Sequence, residues 1–320
     1  MGYVVRRLLQ TIPTIGAILV ITFLMVQLAP GDAVDALAGG GGDEAYYDYL
    51  RSYLQLDRSL PEQFLSYAGH LLRGDMSISF VQGGRPVAEL IAQRLPATLL
   101  LISTALLIAT AGGLVLGSLA ARRPFGAFDM GITTTALVSY SLPAFWLAQL
   151  ALITLAFRLG LFPVQGMTDA RADYTGLAHY LDVGRHLVLP ALVLATSDLA
   201  LVTRVTRAGL VQELDRDYVR TAKGLGLRER DVVVRHALPN ALLPVVTVIG
   251  NRIGLLFTVT VVVETVFGWP GLGTLLLQAA QTRDRPLLLG MMLVVAAFVT
   301  LANLATDLIY AWIDPRIRFD

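Results

Sequence analysis

Cysteine is absent from the 320-residue chain, which excludes disulfide bonds, thiolate metal ligands and cysteine nucleophiles. Charged residues make up only 15% of the sequence, against about 25% in average soluble domains. Lys223 is the single lysine, and its neighbours Ala222 and Gly224 do not form the Gly-Lys-Ser/Thr end of a Walker phosphate loop. The chain therefore lacks that kind of ATP site. Energy for any active process must come from another polypeptide or from an ion gradient.

Other patterns of catalysis and binding are missing too. The histidines do not follow the H-E-x-x-H spacing, so we expect no metal site. No G-x-S-x-G elbow occurs that would support an intramembrane hydrolase. The formal net charge of +1 gives no field that would attract nucleic acid. The sequence therefore predicts a chain that is not an enzyme, binds no cofactor itself and has no nucleic-acid partner.

Apolar residues are what the sequence has in excess. They make up 55% of the chain, and the mean hydropathy is +0.64. A helix that crosses a hydrocarbon core of about 30 Å needs about 20 apolar residues. Four uncharged runs reach that length, and two more are interrupted by one charge each, Asp198 or Arg252. The pattern predicts an all-α membrane protein with spans at 8–31, 95–121, 130–157, 187–203, 237–263 and 286–306.

The placement of arginine predicts the orientation, because cytoplasmic loops carry an excess of basic residues. Arg6, Arg7, Arg122, Arg123 and the basic stretch 204–235 all lie on one side if the N-terminus is cytoplasmic. We therefore expect both termini in the cytoplasm.

The stretch between the first two spans is too long for a bare connection. Apolar positions recur at helical spacing in 46–56 and 61–72, which predicts two short helices there. The chain then divides into an N-terminal anchor with an extracytoplasmic helical segment (1–94), a core transmembrane domain (95–313) and a cytoplasmic tail (314–320).

The most informative stretch is the predicted cytoplasmic loop 215–244, which reads DRDYVRTAKGLGLRERDVVVRHALPNALLP. It combines a short helix at 217–224, a glycine break at Gly224 and Gly226, and a second amphipathic piece. Charge alone favours a solvated basic loop that obeys the positive-inside rule. The order of the small residues, and the Leu238-Pro239 pair before the next span, favour a more specific role.

This loop resembles the motif E-A-A-x3-G-x9-I-x-L-P of the inner-membrane permeases of ABC importers. Ala222 lies four residues before Gly226, and Leu238-Pro239 follows at the distance of the motif. The match is partial, because Arg220-Thr221 replaces Glu-Ala and His236 replaces the apolar residue.

The sequence D-Y-V-R-T-A-K at 217–223 is similar to the variant of this motif found in the dipeptide/oligopeptide/nickel permease family. Short segments that resemble this family occur in its order along nearly the whole chain. They lie at 3–7, 28–32, 56–58, 73–75, 94–98, 141–146, 186–191, 264–273 and 314–318.

The resemblance implies a type I ABC importer-like fold and a permease subunit, in a bacterial inner membrane, for peptides or similar small solutes. The implied partners are a homologous second permease subunit, cytoplasmic ATPase subunits that bind ATP and Mg²⁺, an extracytoplasmic substrate-binding protein and membrane lipids. The implied coupling loop is 215–238. Its residues that would contact the ATPase are Asp217, Tyr218, Arg220, Thr221, Ala222, Lys223, Gly224, Gly226, Leu238 and Pro239.

A short surface helix suits such a role physically. The small residues Ala222, Gly224 and Gly226 would let a partner backbone approach closely. The basic side chains around them can pair with carboxylates, which contributes orientation and association rate more than affinity.

Ionisable residues inside a bilayer are the usual candidates for function. Asp198, Asn251 and Arg252 qualify. One interpretation places them on a water-filled translocation path. The other has Asp198 and Arg252 pair with each other, or with asparagine, as structural contacts between helices.

The segment 264–273 contains glycines and Pro270, which interrupt any helix, and Trp269, which suits a membrane interface. By the family resemblance, Glu264, Trp269 and Pro270 would face the binding protein at the outer mouth. The other interpretation is an ordinary turn between helices.

Two further functions remain open from the residues alone. A secondary transporter driven by an ion gradient would use Asp198 as a proton relay, although no internal repeat is visible. A membrane scaffold would show no transport at all.

Overall fold

Nearly all of the regular structure in the computed structural model is α-helical, within the residues it describes: 2–28, 34, 41, 43–53, 55–172 and 174–313. The helices are α1 (Gly2–Leu28), α2 (Glu44–Tyr53), α3 (Leu60–Leu72), α4 (Val87–Ala121), α5 (Ala127–Ser141), α6 (Ala144–Ala151), α7 (Leu177–Leu214), α8 (Asp217–Gly224), α9 (Glu229–Asp231), α10 (Leu238–Phe267), α11 (Leu272–Gln281) and α12 (Arg285–Ile313). The backbone continues as a π-helix over Leu152–Arg158 after α6 and over Val232–Ala237 after α9. A hairpin of β1 (Ile78–Ser79) and β2 (Arg85–Pro86) precedes α4.

Among the residues that the structure describes, five helical segments are long and apolar enough to cross a membrane, and a bent pair makes a sixth if it counts as one span. The five are Gln10–Leu28, Val87–Ala121, Leu177–Leu214, Glu229–Phe267 and Arg285–Thr306. The prediction of an all-α membrane protein with about six spans is confirmed. The two short helices predicted after the first span are present as α2 and α3.

The third predicted span differs from the straight helix that its apolar run indicated. Helices α5 and α6 meet at an angle of 103°. Leu142 is extended (φ −79°, ψ 130°) and Pro143 caps the start of α6. Proline disfavours the α conformation in the residue before it and has no N–H to continue the hydrogen-bond ladder. The break therefore follows from Pro143.

The chain forms two compact units. The first comprises residues 1–98 and 270–300. Within it the Ser79 hydroxyl of β1 donates to the Asp284 carboxylate just before α12. The backbone N–H of Leu272 donates to the Thr98 hydroxyl oxygen over 2.7 Å. Phe23 of α1 packs edge-on against Phe64 of α3, with ring centroids 5.4 Å apart.

The second unit comprises residues 99–269 and 301–320, and α7 is its central helix. In the most apolar window of α7, 67% of the residues are buried, against 6% in α1. Helices α5, α6 and α10 pack on α7. Helix α4 also approaches it closely, because a Cβ on Gly117 would lie only 2.6 Å from the Thr203 carbonyl oxygen. Gly113 lies four residues earlier and meets Val202 in the same way. This is the small-xxx-small packing that membrane helices use.

Candidate functional site

The loop helix α8 has the length and the ends that its sequence predicts. Asp217 lies in its first turn and Lys223 in its last, each with the charge that the helix dipole favours. Gly226 follows in the left-handed region with φ +77°. Its N–H donates to the Lys223 carbonyl, and the N–H of Leu227 donates to the Ala222 carbonyl. These two bonds form a Schellman cap, which explains why glycine occupies position 226.

One face of α8 is buried inside the chain. Val219 is fully buried and Ala222 is only 7% exposed. Both belong to an apolar cluster at the ends of α4, α7 and α10. The other buried members are Ala121, Leu210, Val232, Val233, Ala237 and Ala241. The small side chain of Ala222 therefore packs against its own fold.

Tyr218 bridges the two long helices on either side of the loop. Its hydroxyl donates to the Glu213 carboxylate at the end of α7 over 2.6 Å. It accepts from the Asn240 side-chain amide at the start of α10 over 3.0 Å. Burial at this junction and the bond to Glu213 raise the pKa of Tyr218, so the hydroxyl stays protonated. Helix α8 is thus joined to α7 and α10 by polar as well as apolar contacts.

The opposite face of α8 is exposed. It presents Asp217, Arg220, Thr221, Lys223 and Gly224. Arg220 lies 3.7 Å from Asp217 as an exposed ion pair, a kind of contact that contributes little to stability. A Cβ added at Gly224 would meet no atom of this chain within 4 Å. Leu225, 77% exposed, extends the surface with an apolar side chain.

The end of the loop leads directly into α10. Leu238 packs against the apolar cluster, and Pro239 lies in the first turn of α10, where a missing N–H costs nothing. His236, which takes the place of an apolar residue in the motif, is exposed. Its carbonyl accepts from Asn240 over 3.3 Å.

The structure brings Asp198 and Arg252 together. The Nε of Arg252 donates to the Asp198 carboxylate over 2.5 Å, between α7 and α10. Asp198 is buried, whereas the neighbouring Asn251 is exposed and lies outside this pair. Of the two interpretations of these residues, direct pairing of Asp198 with Arg252 is the one that the geometry matches.

A second ion pair was not anticipated. Arg207 of α7 donates to both oxygens of the buried Asp129 in α5, each over 2.5 Å. Asp129 also accepts from the Phe125 N–H and from the Thr133 hydroxyl. Arg207 and Asp129 are 78 residues apart. No local sequence pattern therefore predicts that they pair. The Gly113-x-x-x-Gly117 pattern, by contrast, was readable as a helix-packing signal.

The structure buries two of the three residues that the resemblance places on a binding-protein surface at 264–270. Glu264 and Trp269 are both 0% exposed. The Trp269 N–H donates to the Glu264 carbonyl over 2.8 Å and closes the end of α10. Their side chains fill the interior of the chain, while Pro270 is half-buried.

Known proteins resemble this chain in sequence and in fold. The family described as "Binding-protein-dependent transport system inner membrane component" matches residues 113–319. The chain is 37% identical to the oligopeptide transport system permease protein AppB of Bacillus subtilis, over 99% of both chains. It is 38% identical to the dipeptide transport system permease protein DppB of Escherichia coli K12, over 99% of this chain and 98% of that one. A solved structure of the MetNI methionine ABC transporter, inward facing, superposes with a TM-score of 0.56 at 16% identity and covers 70% of this chain and 96% of the other.

Proposed function

The chain belongs to the family of binding-protein-dependent transport system inner membrane components, and we propose that it forms half of a translocation path for peptides. It is a permease subunit of an ABC importer with a type I importer-like fold. It is not itself a catalyst, because separate ATPase subunits hydrolyse ATP in this family. The family membership does not favour a transporter driven by an ion gradient.

The peptide substrate is inferred from the relatives. AppB and DppB are permease proteins of oligopeptide and dipeptide transport systems, and each matches this chain over 99% of its length. A second, homologous permease subunit would supply the other half of the path. An extracytoplasmic binding protein would deliver the peptide, and both termini would lie in the cytoplasm of a bacterial cell. The tail at 314–320 lies outside the described residues. The segment 28–32, which resembles the N-terminal part of the family, is described only at residue 28.

Coupling to the ATPase is assigned to the loop 215–238. The observation that carries this assignment is the two-sided character of α8: one face is buried and bridged to α7 and α10, and the other is exposed. A helix held in this way moves together with the spanning helices. An ATPase groove that grips the exposed face would therefore shift α7 and α10 when ATP closes the ATPase pair. Asp217, Arg220, Thr221, Lys223 and Gly224 are the contact residues in this proposal, and Tyr218, Ala222, Gly226, Leu238 and Pro239 hold the helix in place.

Reconstitution tests the function. The complete transporter is placed in liposomes with its binding protein and a labelled dipeptide, and uptake is measured with ATP inside. We expect uptake that requires ATP and survives collapse of ion gradients by ionophores. Uptake that follows the gradient and ignores ATP would contradict the function.

The coupling assignment is tested by Gly226→Val. A β-branched residue is strained in the left-handed region, so α8 should lose its cap and uptake should fall while ATP hydrolysis continues. Gly184→Ala is the control, because position 184 lies in the helix α7, outside the loop, and has open space around it. Wild-type uptake by the Gly226→Val transporter would contradict the assignment.

A further inference from the structure

A cavity of about 420 Å³ lies in the first unit, away from the coupling loop. The last turns of α1, one face of α3 and the start of α12 line it, together with residues 55–56 and 75–78. Its wall includes Phe23, Gln27, Gln63, Tyr67, Arg285 and Leu289. A volume of this size is in the range of pockets that hold small ligands.

One part of the wall is apolar and aromatic. Phe23 is buried and stacks on the Tyr67 ring, with centroids 6.3 Å apart. Val26, Pro286 and Leu289 continue this surface. Aromatic and aliphatic walls favour a hydrocarbon chain or another apolar group.

The other part is polar and organised. Arg285 donates to the side-chain Oε1 of Gln27 over 3.1 Å, and the side-chain Nε2 of Gln27 donates to the Oε1 of Gln63 over 2.9 Å. The Gln63 amide in turn donates to the Arg58 backbone carbonyl over 2.9 Å. This relay fixes both carboxamides and places a guanidinium at the cavity wall.

The Tyr67 hydroxyl, unlike these polar groups, makes no hydrogen bond to the described residues. It is buried, and it is one of two buried side-chain polar atoms in the described chain that have no hydrogen-bond partner. Burial raises the pKa of Tyr67 to about 12, so it is a neutral donor. A buried hydroxyl without a partner costs about 1–3 kcal/mol, and the adjacent cavity offers room for the group that would accept its proton.

The position of the cavity indicates the occupant. Phe23 and Gln27 lie at the end of the span Gln10–Leu28, and Arg285 and Leu289 lie at the start of the span Arg285–Thr306. The ends of spans lie where hydrocarbon meets lipid headgroups. We propose that this cavity binds one phospholipid, with its phosphate and glycerol ester oxygens at Arg285 and Tyr67 and the start of an acyl chain against Phe23 and Leu289. The site concerns the membrane and not the transported solute, so it does not depend on the proposed function.

Lipid retention tests the proposal. The intact transporter is purified in mild detergent and incubated with vesicles of equal parts phosphatidylethanolamine and phosphatidylglycerol. Excess lipid is then removed, and bound lipid is counted by native mass spectrometry. We expect one phospholipid per chain to resist removal.

Two substitutions on α3 form a matched pair. Ser66→Phe fills the cavity that Ser66 lines, and retention should fall about tenfold, which corresponds to about 1.4 kcal/mol. Leu65→Phe changes the neighbouring exposed residue and should leave retention unchanged. Tyr67→Phe removes only the hydroxyl and should reduce retention by a factor of a few, up to about tenfold.

Equal retention by Ser66→Phe and the wild type would overturn the proposal. If Ser66→Phe does not fold, unchanged retention in Tyr67→Phe would overturn it instead. Displacement of the bound lipid by excess dipeptide would identify the cavity as a substrate site and would likewise overturn it.

Discussion

The helix α8 and the corner at 264–269 both adjoin long spanning helices, but their side chains have opposite environments. In α8, Val219 and Ala222 are buried while Arg220 and Lys223 on the other side are exposed. At the corner, the side chains of Glu264 and Trp269 are both completely buried. The first segment therefore keeps an exposed face, and the second closes the interior of its own chain.

The difference lies in amphipathicity. The short helix α8 alternates apolar and charged residues at helical spacing, so one face packs and the other remains in contact with the surroundings. The corner has no such alternation. Trp269, which lies between a glycine and a proline, fills space at the end of a helix. Tryptophan often lies at membrane interfaces, but this side chain is buried.

Of the substitutions proposed for these two regions, Trp269→Ala should reduce the stability of the folded protein most. Removing a fully buried tryptophan costs about 3–5 kcal/mol through lost contacts and the cavity that remains. We expect a large fall in the thermal unfolding temperature of the detergent-solubilised protein. Leu225→Ala, at an exposed position of the loop, is the control and should unfold like the wild type. A Trp269→Ala variant as stable as the wild type would remove the contrast between the two regions.

Ala222→Leu should have an intermediate effect and separates the two faces of α8. The larger side chain overpacks the apolar cluster, at a cost of about 1–3 kcal/mol, and should lower the unfolding temperature. Thr221→Leu, one residue earlier on the exposed face, should leave the unfolding temperature unchanged and weaken binding of the ATPase. The reverse result, with stability lost in Thr221→Leu and not in Ala222→Leu, would show that the faces are assigned the wrong way round.

The double variant Arg220→Ala, Lys223→Ala should have the smallest effect on stability, within about 0.5 kcal/mol, because both residues are exposed. Its effect should appear in the association rate with the ATPase subunits, measured at low and high salt. Surface charges act mainly on that rate and on its salt dependence. An unchanged rate at low salt would exclude these two residues from the contact.

Local patterns in the sequence predict much of this protein. Runs of about 20 apolar residues predict the spans, and helical spacing predicts α2 and α3. The predicted short helix at 217–224 matches α8 residue for residue. The glycine break has a local cause as well, because Gly226 takes the left-handed conformation that ends the helix.

Tertiary structure decided the features that depend on residues far apart in the chain. Asp198 and Arg252 are 54 residues apart, and Asp129 and Arg207 are 78 apart, so their pairing requires the packing of α7 against α10 and of α5 against α7. The burial of Trp269 and of Ala222 is decided in the same way. Apolar runs and glycine conformations are properties of neighbouring residues, which the sequence contains directly. Burial and ion pairing are properties of helices in contact, which exist only once the chain has folded.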